Sequence, residues 1–441
     1  MKLKLFSIIL TICFVSILQS QSRNIEFVEY DLDNGLHVIL HEDHSTPNVA
    51  VTILYHVGSK NEKPNRTGFA HFFEHLMFEG SKYIERGELD KLVTAAGGAN
   101  NANTNFDRTF YYILLPSNQL ELGLWIESER LLHLKIDSIG VETQRKVVKE
   151  ERKQGIDNQP YGTVMEETFA HAFKVHPYHW TPIGSAQYID KATLDEFIDF
   201  HSIYYVPQNA TLSIAGDIDT DQTKELIDKY FADIPRGDKE IYRPSVVEPE
   251  QTAEIRDTVY DNIQLPAVIQ AYHIPAQGTP DYYALNMLTT LLSSGQSSRL
   301  YKALVDEQQK ALFSGSIPLA LEDPGLFLTF AIANAGIAAN DLEASMQAEL
   351  DKVKNELIGE REFQKLRNQI ETQFVTSNST VAGIAESLAD YHVYFGDSNL
   401  INTEIERFMN VSREDIKRVA NEYLTKNNRV VLYYLPKSQE K

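Results

Sequence analysis

The feature that most constrains this chain is that part of it occurs twice. The stretch ATLDEFIDFHSIYYVPQNATLSIAGD from Ala192 and the stretch VSREDIKRVANEYLTKNNRVVLYYLP from Val411 align at one constant offset of 219. Thr193 falls on Ser412, Phe197 on Ile416, Tyr204 on Tyr423, Asn209 on Asn428 and Leu212 on Val431. Each copy opens with a hydroxyl N-cap and acidic residues, which satisfy free N–H groups and complement the positive end of a helix. Each then runs with helical spacing and turns into an apolar strand. The same local grammar at a single offset predicts two homologous halves of about 200 residues.

With 441 residues, the chain divides by this reading into residues 25–234, a linker at 235–250 and residues 251–441. Pro235, Gly237, Pro244 and Pro249 mark the linker. Two similar lobes on a linker suggest a clam shell with a cleft. Within the halves, strands and helices mix without regular alternation. Asn34-Gly35 is a hairpin turn between alternating segments, 49–58 reads as a strand, and 116–134 reads as a helix capped near Ser117. Phe110, Tyr111 and Tyr112 read as strand core. The fold class is α+β: two halves, each an antiparallel-rich sheet packed with helices.

The N-terminus, MKLKLFSIILTICFVSILQSQS, has a positive start at Lys2 and Lys4 and an uncharged apolar run to Leu18. That run is shorter than the about 20 residues a bilayer span requires, so it reads as a signal peptide ending near Ser20. Export to the periplasm or exterior is expected, with no membrane anchor after cleavage. Bulky Ile12 before Cys13, the only cysteine, argues against a lipid anchor, and cleavage removes Cys13. Any metal in the mature chain must then use His, carboxylate or water. The net charge of −21 disfavours nucleic acid and anionic lipid as partners, and its bland role is solubility.

The segment GFAHFFEHLMFEGS holds His71, Glu74 and His75. On a helix, residues four apart share a face, so His71 and His75 can reach one ion while Glu74 sits beside it. His-x-x-Glu-His is the inverted form of the zincin helix, with the glutamate as general base for water attack on a carbonyl. A third ligand is expected from the helical stretch 141–158, where Gln144, Val148 and Glu151 share a face. Glu150, turned about 100° away, is the competing candidate. His171, His176 and His179 cluster in sequence, but HPYHWTPIG reads as a loop and not as a second metal site.

The His71–His75 segment, with a glutamate 76 residues later, resembles the pitrilysin/insulinase family of zinc peptidases, which includes the mitochondrial processing peptidases. The resemblance spans nearly the whole mature chain. It implies one Zn2+ held by His71, His75 and Glu151, Glu74 as the base, and a peptide or unfolded polypeptide as substrate. The run of Gly97, Gly98, Asn101, Ala102, Asn103 and Thr104 resembles the strand edge on which relatives lay substrate, so Asn101 to Thr104 are implied substrate-binding residues. An exposed edge binds peptide backbone with little reading of sequence.

Two positions depart from the family pattern. Gln144 stands where relatives carry a second glutamate behind the ligands. The window 304–313 lacks the arginine and tyrosine, seven apart, that many active relatives reach across the cleft; Arg299 and Tyr301 have the wrong spacing. The region near Asn286 that matches the metal helix has no His or Glu. These departures imply a homologous partner subunit that supplies the Arg/Tyr pair, or a homodimer. They also keep open a non-cleaving or partner-dependent subunit as the alternative to a zinc endopeptidase.

Overall fold

A computed structural model of the chain describes residues 24–439. The expected leader, residues 1–20 with Cys13, lies outside the described residues. The first sheet contains β1 (Val28–Asp31), β2 (His37–Glu42), β3 (Asn48–Tyr55), β4 (Ala99–Thr104), β5 (Thr109–Pro116) and β6 (Ala210–Gly216). Its order is β1-β2-β6-β3-β5-β4. The second contains β7 (Ile255–Asp261), β8 (Ala267–Ile274), β9 (Ala311–Leu319), β10 (Gly325–Ala333) and β11 (Arg429–Pro436), in the order β7-β11-β8-β10-β9.

The two sheets repeat each other strand for strand once β1 is set aside. Among the described residues, each has one parallel pair at the same place, β2–β6 and β7–β11, and is otherwise antiparallel. The repeat seen in the sequence lies on the helix and strand that close each half. Thr193 and Glu196 form a capping box on the helix Leu194–Tyr204, and Ser412 and Asp415 do so on Arg413–Tyr423. Asn209 Nδ2 donates to the Tyr204 carbonyl at 2.7 Å, and Asn428 Nδ2 to the Tyr423 carbonyl at 2.8 Å. The same two amides donate to the backbone carbonyls of His56 and His273. Each repeated asparagine therefore occupies carbonyls at a helix end and ties that end to the sheet.

The Asn34-Gly35 turn joins β1 to β2, with Gly35 at φ +88°, a conformation open to glycine. One expectation shifts: the helix expected to be capped near Ser117 is Leu120–His133, entered through a 3-10 turn. Ser117 Oγ donates instead to Asp217, because an irregular turn leaves the hydroxyl free for a distant acceptor.

Side chains alternate between the faces of a strand, and here both faces are apolar. One face of the first sheet, with Val38, Leu40, Val51 and Ile53, packs on Phe72, Phe73 and Phe197. The other, with Ile39, Ala50 and Ala215, is covered by Ile384, Ala385 and Leu388 of the helix Val381–Phe395, which belongs to the second half. The exchange is reciprocal. Phe169 and Ala172 of the first-half helix Val164–Ala172 cover Ala267, Ile269, Ala271 and Leu432 of the second sheet. The halves interlock by trading helices, and the segment 235–250 between them carries no helix or strand. No helix among the described residues is long and apolar enough to cross a membrane.

Candidate metal centre

The helix Phe69–Leu76 buries Phe69, Phe72, Phe73 and Leu76. Its phenylalanines stack on Phe197 and Phe200, with ring centroids 4.5–5.4 Å apart for the stacked pairs. That packing fixes the helix's rotation and leaves His71, Glu74 and His75 along the opposite side. The helix starts at Gly68, φ +92°, where a Cβ would meet the Ile183 carbonyl oxygen at 3.0 Å. Buried Glu62 accepts from the N–H groups of Gly68 and Ala70, both at 2.8 Å, and holds this end of the helix.

Helix Ser138–Arg152 runs against it and carries Glu151. His71 Nε2 and His75 Nε2 are 3.3 Å apart. Glu151 Oε1 is 3.6 Å from His71 Nε2, and Oε2 is 3.2 Å from His75 Nε2. Two ligand atoms each about 2.0–2.1 Å from a tetrahedral zinc stand about 3.3–3.4 Å from one another. The three observed separations bracket that edge, so the donor set fits a zinc ion without rearrangement. Glu150 turns away, accepting from Gln154 at 2.9 Å.

Burial, reinforced by the neighbouring His75, pushes His71 down to about 4, and the hydrogen bond from His75 lowers Glu151. A neutral imidazole and an anionic carboxylate are the forms that ligate. His71 Nδ1 is buried without a hydrogen-bond partner, so this ring lacks the outer contact that commonly fixes a ligand's tautomer. Burial raises Glu74, and a 2.6 Å hydrogen bond from Thr104 Oγ1 opposes the rise.

Gln144 takes a role other than the one expected behind the ligands. Its amide donates to Glu79 Oε1 at 2.5 Å, and Glu79 also receives Arg86. The contact braces the segment after the His71–His75 helix against the Glu151 helix. Asn101, Ala102, Asn103 and Thr104 all lie on β4, the edge strand of the first sheet. Asn101 and Asn103 are exposed, whereas Ala102 and Thr104 turn inward. Asn103 Oδ1 accepts from Arg108 at 3.1 Å. The Thr104–Glu74 bond was not foreseen; the period-2 alternation along β4 was the available signal.

The remaining candidates fall apart in space. Arg299 is bonded to Glu362 within the second half. Tyr301 opens the π-turn Tyr301–Glu307. The helix Pro280–Ser293, which contains Asn286, buries Leu285, Met287, Leu288, Leu291 and Leu292 and offers no ligand. His171 pairs with Asp257, His176 with Asp323, and His179 with the Phe173 carbonyl.

The profile of "Insulinase (Peptidase family M16)" matches residues 37–181, and that of "Peptidase M16 inactive domain" matches residues 191–370. The chain is 34% identical over 408 residues to zinc protease PqqE of Helicobacter pylori, covering 92% of each chain. The crystal structure of a protease from Helicobacter pylori superposes with a TM-score of 0.90 at 34% identity, covering 93% of this chain and 99% of that one. An M16 inactive-domain structure from Pseudomonas fluorescens shares the fold, with a TM-score of 0.83 at 15% identity over 93% of this chain and 98% of that one. Fold, site and similarity over the length of both chains lead to one conclusion: this chain belongs to the insulinase family of peptidases, M16.

Proposed function

We propose that the protein is a zinc-dependent endopeptidase acting on peptides or unfolded polypeptides, with His71, His75 and Glu151 as ligands and Glu74 as general base. The observation that carries this reading is the set of three ligand atoms 3.2–3.6 Å apart, with Glu74 on the same short helix. When bound, zinc supplies Lewis-acid polarisation of the carbonyl and acidification of water. Glu74 takes the proton from the attacking water and returns it to the leaving amine. Thr104 Oγ1 holds the carboxylate for that transfer. The free edge of β4, at Asn101 to Thr104, binds the substrate backbone as an added strand beside the base.

The metal-binding half, 25–234, and the second half, 251–441, meet around the site. By its first 20 residues the chain is exported, to the periplasm or the exterior. A second reading, a non-cleaving or partner-dependent subunit, is favoured by one observation: Arg299 is engaged by Glu362, and the second half offers no Arg/Tyr pair. A homologous partner or a second copy would then complete the site.

Hydrolysis of a quenched peptide by zinc-loaded wild type and Glu74→Gln separates the readings. Loss of a general base lowers the rate about 10²–10⁴-fold. Undiminished hydrolysis by Glu74→Gln refutes the mechanism. No hydrolysis by wild type alone, restored by adding a homologous subunit, selects the second reading.

A further inference from the structure

A second cluster of metal-ligating side chains lies away from the first, where the second-half helix Val381–Phe395 crosses the β1–β2 edge of the first sheet. Glu29 of β1, His37 of β2 and His392 of that helix each bring one ligand atom within 4.8 Å of the others. The His37 and His392 rings lie face to face, with centroids 3.4 Å apart and planes 7° from parallel.

Asp31 Oδ1 lies 2.8 Å from His37 Nδ1. A carboxylate at that distance takes the Nδ1 proton and leaves Nε2 as a bare lone pair, the arrangement that prepares a histidine for a metal. His37 Nε2 is buried and has no hydrogen-bond partner. It faces Glu29 Oε2 at 3.5 Å. Two electron-pair donors facing each other at that distance repel unless a positive charge lies between them. Ser398 Oγ, also from the second half, donates to Glu29 Oε2 at 2.6 Å and steadies the carboxylate. The Glu29 side chain is 41% exposed, which leaves an ion a way in.

We propose that Glu29, His37 and His392 form a second site for a divalent ion of the zinc class, with water completing the shell. Two imidazoles and a carboxylate suit Zn2+, Co2+, Ni2+ or Cu2+ and disfavour Mg2+ and Ca2+. The site joins residues 355 positions apart, one from each half, so the ion clasps the exchanged helix onto the sheet that it covers. Its role is structural: it stabilises the interlock and takes no part in hydrolysis.

The test is titration of the metal-stripped full chain with Zn2+, counting bound ions by calorimetry and elemental analysis. Wild type binds two ions per chain and His392→Gln binds one. Glu29→Gln, a change at a partly exposed position that keeps the fold, and Asp31→Asn weaken the second ion about 10–100-fold. Zn2+ also shields His37 and His392 of wild type from acylation by diethyl pyrocarbonate, read by mass spectrometry.

Equal stoichiometry in wild type and His392→Gln overturns the proposal. So does acylation of both rings unaffected by Zn2+, the pattern left by a His37 that is doubly protonated between Asp31 and Glu29. A single ion lost in His392→Gln but kept in His71→Gln upholds this site and refutes the catalytic one. The reverse pattern refutes this site alone.

Discussion

Replacing Thr104 by valine isolates the one side-chain contact that positions the proposed base. Thr104 Oγ1 donates to Glu74 Oε2 at 2.6 Å, a short bond to a carboxylate already disfavoured by burial. Hydrogen bonds to charged groups contribute about 1.5–3 kcal/mol. Valine keeps the shape and removes the donor, so the carboxylate loses that restraint. If half to all of the loss falls on the transition state, kcat drops about 5–100-fold, since 1.4 kcal/mol is tenfold. KM stays within about threefold, because the strand edge that holds the peptide is unchanged. Zinc content stays at the wild-type value, since Thr104 contacts no ligand. Thr104→Ser keeps the hydroxyl and recovers most of the rate. The assay is steady-state hydrolysis of a quenched peptide with metal analysis of the same samples. A valine variant with wild-type kcat, or one that loses its zinc, refutes the reasoning.

Three further outcomes follow from the same structure. Glu151→Gln weakens zinc at the His71–His75 site by at least about 100-fold while Glu150→Gln leaves it unchanged, measured by competition with a chromogenic chelator; equal effects would mean the wrong acid has been assigned. Burial alone would raise Glu322, but its hydrogen bond to His56 and the charges of His56 and Lys60 outweigh that and hold it down at about 2. A depressed carboxylate contributes stability that is complete above its unfolded value of about 4.5 and is lost as pH falls towards 2. Wild type therefore loses stability relative to Glu322→Gln between pH 4.5 and 2, read from urea midpoints, and parallel curves would contradict this. Leu388→Ala, at a fully buried position of the exchanged helix, costs about 2–5 kcal/mol, and both halves melt together in one shifted transition.

What the sequence disclosed was local. The capping boxes at Thr193 and Ser412, the paired asparagines and the Asn34-Gly35 turn are short-range devices, and each appears where its residues stand. His71 and His75 share a face because four residues nearly complete a turn, and Glu151 follows on a helix whose own periodicity aims it. The exchange of helices left no such mark. Val381–Phe395 lies over a sheet more than 160 positions earlier in the chain, and apolar spacing says that a face is buried without saying against what. The His37–His392 stack and the Gln144–Glu79 brace are likewise products of packing between distant segments. The Ser117 expectation erred because a serine before a helix has two uses, as a cap or as a partner elsewhere, and Asp217 took it.

The central claim is that one ion sits among His71, His75 and Glu151. Crystals of the full chain soaked in Zn2+ and measured on both sides of the zinc absorption edge test it directly. The account predicts an anomalous peak about 2.0–2.2 Å from both Nε2 atoms and from a Glu151 carboxylate oxygen, with Glu74 outside bonding distance. A zinc-loaded crystal with no peak there, or with the peak held by Glu74 or Glu150 in place of Glu151, would contradict it.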